Sequence, residues 1–412
     1  MAFPAKGFYP QVVIEININK HQDSRIFGSK FKQYSMSFES LGLSKPLLRA
    51  IAEQNYPAPF PIQKEAIPAI LAGKDIQGLA QTGSGKTASY VLPILELFQK
   101  KKADRNLHLK VLILVPTREL SLQVSEVIST FSQKLPITIK NLAVYGGVPV
   151  NQQMVKLKNT EILVATPGRL LDLISSKSIH LGKIEILVLD EADKLLDQGF
   201  QEEMGNLIKL LPAKRQNILF SATMDTKVEY IKSTLLTEPF KIEIEPEKEQ
   251  VELIDQKAYL CKQERKGPLL RYLIKEENMQ QVLVFTSSVR TADNVTEKLK
   301  KNGISALALH SKKTQGARMD ALKHFKNGQI NVLVATDLAS RGIDIASLPY
   351  VINYELPRSP KDFIHRIGRT GRAVATGKAL TLVTDEDEHH FYIIQKKMGK
   401  RVEKIATDDW AL

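Results

Sequence analysis

From residue 36 onward the chain alternates between two kinds of stretch: short runs rich in Val, Ile and Leu, and amphipathic segments of helical length. The first-half runs are VLILVP, LAVYGG, ILVATP, ILVLDE and ILFSAT, preceded by the apolar run from Asp75 to Ala80. None alternates with polar residues, as expected of parallel strands covered on both faces. The pattern therefore predicts an α/β fold. After Thr223 and the helix that follows it, TEPFKIEIEPEKEQ carries two prolines, dense charge and no core pattern beyond one short strand, and reads as a linker. The rhythm then restarts with VLVFTS, ALALH, VLVATD, YVINYELP and KALTLVT, separated by helical stretches such as SVRTADNVTEKLKK and QGARMDALKHFKNG. The architecture repeats although the sequence does not. We expect a first domain over 36–240, a linker over 241–250, a second domain over 251–400 and a short tail of mixed charge over 401–412.

The first 35 residues show no sustained period and mix turn formers with charges, so they read as a poorly ordered extension, with Met36 as the expected start of the functional chain. The length of 412 residues fits two or three domains, and 43% hydrophobic against 25% charged residues is ordinary for a globular protein. A formal charge of +13 points to a polyanionic partner such as nucleic acid. Cys261 is the single cysteine, which excludes an internal disulfide framework and disfavours a cysteine-built zinc site, in keeping with a reducing cytoplasm. No apolar run reaches the roughly 20 residues a bilayer requires.

The chemistry concentrates at AQTGSGKT, Ala80 to Thr87, which follows a predicted strand and opens the helical segment KTASYVLPILELF. This is the context of a phosphate-binding loop. Gly83 and Gly85 let the backbone approach phosphate oxygens, so that successive N–H groups and the helix N-terminus face the anion; Gln81, Thr82 and Ser84 complete the loop. Lys86 is placed for the β- and γ-phosphates and the Thr87 hydroxyl for Mg²⁺, while Ala80 stands where the general pattern has glycine. LVLDEAD sets Asp190 directly after a strand as a water-mediated Mg²⁺ partner, with Glu191 beside it to orient or deprotonate the attacking water. Each feature has a plainer reading, a glycine-rich turn or an N-capping acidic cluster. Their presence together favours a nucleotide site.

LVLDEADKLLDQGF, together with AQTGSGKT, PTREL, TPGR, SAT, ATDLASRGIDI and HRIGRTGR, resembles the DEAD-box ATP-dependent RNA helicases of the bacterial kind, from Met36 to about Lys400. The resemblance implies two RecA-like domains, the second being the helicase C-terminal one, with ATP and Mg²⁺ between them and RNA across both. It assigns Gln63 to the adenine edge, where one amide offers donor and acceptor together, Tyr56 to stacking on the base and Phe38 to its support. Read alone, the two aromatics would serve equally as core and Gln63 as a helix cap. Asn55 and Phe60 depart from the family pattern at neighbouring positions without touching these contacts. Arg369 and Arg372 resemble an arginine finger pair, so hydrolysis would need the two domains to close, within a monomer.

By the same resemblance Ser221 and Thr223 would bond Asp193 and couple the sites, Asp344 would meet the ribose, and Asp337 and Arg341 would organise their loop. The RNA-facing set would be Thr117, Arg118, Gly147, Thr166, Arg169, Gln315, Arg318 and Thr336, touching sugars and phosphates with little regard to sequence. The implied activity is RNA-dependent ATP hydrolysis with non-processive, local separation of short duplexes or remodelling of ribosomal or decay ribonucleoproteins. The rival reading is an ATP-dependent RNA clamp that binds and holds with little unwinding, and a DNA helicase is a third. The closing segment KRVEKIATDDWAL displays no dedicated recruitment domain.

Overall fold

The fold was taken from a computed structural model, which describes residues 37–54, 56–81, 83–100, 108–197, 199–244, 254–337, 348–371 and 377–411. Met36, Asn55, Thr82, Arg341, Asp344, Arg372 and the extension over 1–35 lie outside the described residues. Fourteen strands among the described residues form two sheets, each of 7 strands and each wholly parallel. The first comprises β1 (Ile76–Leu79), β2 (Val111–Leu114), β3 (Asn141–Val144), β4 (Ile162–Ala165), β5 (Ile186–Leu189), β6 (Gln216–Ser221) and β7 (Phe240–Glu243). The second comprises β8 (Asp255–Leu260), β9 (Val282–Thr286), β10 (Ala306–Leu309), β11 (Val332–Thr336), β12 (Tyr350–Asn353), β13 (Lys378–Val383) and β14 (Glu403–Ala406). These are two RecA-like domains, and Met36–Leu412 form one compact unit.

The strand orders are β3-β4-β2-β5-β6-β1-β7 and β10-β11-β9-β12-β13-β8-β14. Counting β8 as the first strand of its own lobe makes the two orders the same. The equivalence extends to single bonds: Ala80 N donates to Ser221 O at 3.0 Å just beyond β1, and Cys261 N donates to Val383 O at 3.0 Å just beyond β8.

Continuous apolar runs produce this arrangement because successive side chains leave a strand on opposite faces. Val111, Ile113, Ile162, Val164 and Val188 pack into one core, while their neighbours Leu112, Leu114, Leu163, Ala165 and Leu187 pack into another on the far side. Val282, Val284 and Val332 against Leu283, Phe285 and Leu333 repeat the division in the second lobe. Both faces are thus covered by helices.

Three strands modify the expected layout. The boundary expected at residue 240 falls inside β7, so the first sheet runs on to Glu243. β8, with the sequence DQKAYL, is too polar to register as an apolar run. Residues 403–406 of the expected tail form β14, which pairs with β8, and Trp410 beyond it packs on Tyr259 and Tyr272 with ring centroids 5.8 and 5.3 Å away. Arg265 fastens this segment by donating to Asp408 O and Trp410 O at 2.6 Å each.

Candidate nucleotide and nucleic-acid site

The loop leaving β1 leads straight into the helix Lys86–Lys100. Gly83 and Gly85 adopt φ of 85° and 86°, the left-handed region that glycine enters without a steric cost. At Gly85 a side chain is excluded as well, since a Cβ would lie 2.5 Å from Gln63 Nε2 and 2.8 Å from Phe60 Cδ2. Lys86 is buried and, among the described residues, donates to neutral oxygens alone, Ala80 O at 2.6 Å and Gln81 O at 3.0 Å. Burial pushes its ammonium below the usual lysine range, opposed by Asp190, Glu191 and Asp193. Ser84 Oγ donates to Gln81 O at 2.8 Å and tightens the turn.

Those acids follow β5. Asp190 accepts from the buried Tyr90 hydroxyl at 2.9 Å, and Tyr90 is also hydrogen-bonded to Thr87. Burial drives the Asp190 carboxyl up to about 6, with Lys86 pulling it back. Glu191 sits at φ 54°, a left-handed conformation that costs a non-glycine residue on the order of 1 kcal/mol or more. Its Oε1 accepts from Lys194 at 2.7 Å. Thr223 Oγ1 donates to Asp193 Oδ2 at 3.2 Å, and Ser221 Oγ accepts from Asp193 N at 3.3 Å. Asp190 Oδ1, Glu191 Oε2 and Asp193 Oδ1 are buried and find no hydrogen-bond partner among the described residues. Buried polar atoms are nearly always satisfied, so these three carboxylate oxygens leave bonding capacity unspent beside Lys86; among the described residues no cluster of three or more His, Cys, Asp or Glu is arranged to hold a metal ion by itself.

The proposed adenine end is internally engaged. Gln63 caps its own helix by accepting from Phe60 N at 3.0 Å and donates to Gly85 O at 3.1 Å, which joins it to the phosphate loop. The Tyr56 ring lies edge-on to Phe38 and Phe131, with centroids 6.4 and 6.1 Å apart.

Along the carboxyl ends of the strands, Thr117 caps the helix Arg118–Ser132 by accepting from Leu120 N at 3.2 Å. Arg118 covers Gly147, where a Cβ would come within 2.1 Å of its Nη1, and Gly147 holds φ 83°. Thr166 and Thr336 are buried at the ends of β4 and β11. The Arg169 guanidinium bonds Gln153 Oε1 and Val148 O at 2.9 Å each and Asp172 Oδ2 at 3.2 Å. It braces the loop carrying Gly147. Gln315 and Arg318, on the first turn of the helix Gln315–Lys326, both donate to Glu119 of the first lobe. Lys361 of the second lobe donates to Thr223 Oγ1 at 3.3 Å. Arg369 is buried beside the helix Pro360–Ile367, and Arg366 is committed to Asp337 in a bidentate pair at 2.6 and 2.7 Å.

Tyr90, Lys194 and Glu119 are the residues that sequence reasoning passed over. Tyr90 and Lys194 each lie three positions after a marked residue, the spacing that shares a helix face. Glu119 stands inside PTREL with no local sign that its partners come from another lobe.

A phosphate-type loop and an acidic strand end, set on one of two sheets of like topology, define a two-lobed P-loop protein of RecA-like fold. Residues 60–231 match the DEAD/DEAH box helicase family, and residues 265–374 match the helicase conserved C-terminal domain. The chain is 37% identical over 374 residues to the ATP-dependent RNA helicase CshA of Listeria monocytogenes, covering 90% of this chain and 71% of that one. It is 36% identical to the DEAD-box ATP-dependent RNA helicase CshA of Bacillus subtilis, covering 90% and 74%. Among solved structures, S. cerevisiae Dbp5 bound to RNA and ADP BeF3 superposes with a TM-score of 0.78 at 32% identity, covering 91% of this chain and 96% of that one. The chain belongs to the DEAD/DEAH box helicase family. Among the described residues, no helix is long and apolar enough to cross a membrane.

Proposed function

We propose that this protein is an RNA-dependent ATPase and non-processive RNA helicase, which separates short duplexes or remodels RNA–protein complexes as its two domains close on ATP. The observation that carries the reading is the trio of unpartnered buried carboxylate oxygens beside Lys86. Bound ATP with Mg²⁺ supplies a transferable phosphoryl group and a cation that offsets its negative charge.

The chain's own groups divide the work. The loop from Ala80 to Thr87 and the ammonium of Lys86 bind phosphate oxygens, and Thr87 and Asp190 are the candidates to hold the cation. Glu191, oriented through Oε1 by Lys194, keeps Oε2 free to take a proton from water. Gln63, Tyr56 and Phe38 receive the base, with Asp344 for the ribose. Arg369 and Arg372 would supply positive charge to the γ-phosphate from the second lobe, so that one chain would suffice. The Asp193–Thr223 bond, touched by Lys361, links the acidic cluster to the neighbouring lobe. Thr117, Arg118, Gly147, Thr166, Arg169, Gln315, Arg318 and Thr336 grip sugar and phosphate, which predicts steep salt dependence. Relatives that are named ATP-dependent RNA helicases support this reading, as does the RNA-bound Dbp5 structure. Ribosomal or decay ribonucleoproteins in the cytoplasm are the targets we propose.

The test is ATP turnover with and without RNA for the wild type and Glu191→Gln. The variant should bind RNA but turn over at least about 10² more slowly, the low end for loss of a general base. Normal hydrolysis by Glu191→Gln would remove the assignment. Duplex release that proceeds no further with ATP than with a nonhydrolysable analogue would favour the clamp.

A further inference from the structure

Glu119 is a carboxylate in a basic neighbourhood. It follows Arg118 and has Arg318 opposite, and both arginines belong to the RNA surface proposed above. Its side chain is 3% exposed. Oε1 accepts from Arg318 Nη2 at 2.9 Å and from Gln315 Nε2 at 3.2 Å. Gln315 and Arg318 sit three positions apart on one helix turn, so a single oxygen fixes both. Arg318 Nε and Gln315 Oε1 are buried without a partner among the described residues, leaving a donor and an acceptor unspent.

A carboxylate repels phosphate, so Glu119 is unsuited to contact the nucleic acid itself. Burying it is costly unless it is paired. Among the described residues the two side chains that bond it both come from the second lobe. Separating the lobes would strand a carboxylate on one side and a guanidinium on the other; bringing them together satisfies both. The same act places Arg318 and Gln315 beside Arg118 and Gly147 and makes one surface out of two.

We propose that Glu119 is a positioning residue for RNA: it touches no nucleotide, yet it assembles the second lobe's sugar and phosphate contacts against those of the first. This rests on the RNA-dependent reading above.

A double-mutant cycle in the full chain tests it, using a single-stranded RNA homopolymer at saturating ATP. The quantity read is the RNA concentration that gives half-maximal stimulation of turnover. Glu119→Ala should raise it by at least about thirtyfold, the low end for truncating one member of a buried hydrogen-bonded charge pair. The maximal rate should change less. Glu119→Gln keeps an accepting oxygen and should fall between the two. On an Arg318→Ala background, Glu119→Ala should add much less than it does in the wild type, the remainder being its hold on Gln315, because groups acting through one contact are not additive. Thermal unfolding and direct nucleotide titration report that each variant is folded, and Glu119→Gln carries the test should Glu119→Ala not fold. An unchanged half-saturating concentration, or a fully additive cycle, overturns the proposal alone. A wild type that RNA fails to stimulate overturns the functional reading and this proposal with it.

Discussion

The two lobes share a strand order, and each sends its first strand into a helix that opens on a buried lysine. The lysines differ in what they face. Among the described residues Lys86 donates to the carbonyls of Ala80 and Gln81, whereas Lys266 donates to a carboxylate, Asp387 Oδ2, at 3.1 Å. The loops before them differ too. In the first lobe two glycines with positive φ leave an open cradle, and in the second the corresponding residues, Gln263–Arg265, coil into a 3₁₀ turn. Among the described residues one lobe thus leaves its lysine without a carboxylate bond, and the other has neutralised it from within. A common sheet therefore does not make a common site; a handful of residues past one strand end decides.

The largest test of this asymmetry is Arg369→Ala. The second lobe has no counterpart of the phosphate loop among its described residues, so on the proposed reading it serves catalysis by lending charge to the first. Turnover at saturating ATP and RNA should fall by about 10³ or more, as for other arginine fingers, with ATP affinity far less affected. A small drop would mean that the lobes hydrolyse without sharing the site.

The lysines come next, and they should separate rate from stability. Lys86→Ala should reduce kcat/KM for ATP by about 10² to 10³, comparable to losing one preorganised donor, without lowering the unfolding midpoint. Lys266→Ala should do the reverse. It strands Asp387, whose side chain is 31% exposed, and should destabilise the fold by about 1–3 kcal/mol in denaturant titrations, solvent screening keeping it below the fully buried case. Loss of activity in both variants at unchanged stability would erase the distinction.

The smallest effect is one of pH. Burial first, then Lys194 of the first lobe and Lys361 of its own, lowers His365 to about 4 from an ordinary 6.5. Below 6.5 the unfolded chain takes up a proton that the folded one refuses. Stability present above that point should drain away as pH falls towards 4, and His365→Gln should flatten this part of the profile. An equal slope in wild type and variant would assign the loss to other groups.

Much of this was legible in the sequence, for reasons that can be located. The central strands announce themselves because both faces are buried, as Leu112 and Ile113 show by packing on opposite sides of one sheet. The phosphate loop and the acidic cluster are local in sequence and local in space. Edges were harder: β8 is interrupted by Asp255, Gln256 and Lys257, and β14 hides in a charged tail because it needs only backbone pairing with β8. Contacts across lobes left no local trace. Nothing in PTREL indicates that Glu119 meets a helix some 196 residues away, and nothing in TPGR indicates that Arg169 bonds Gln153.

The placement of β14 bears on how the protein can be handled. Shortening the chain at residue 400 looks harmless on paper, but it would strip the cover from β8 and bare a row of unpaired amides and carbonyls, the kind of ragged margin along which separate molecules stick together. The grip of Arg265 on the last few residues is thus a safeguard against clumping, and a purification handle is better attached beyond Trp410 than substituted for what precedes it.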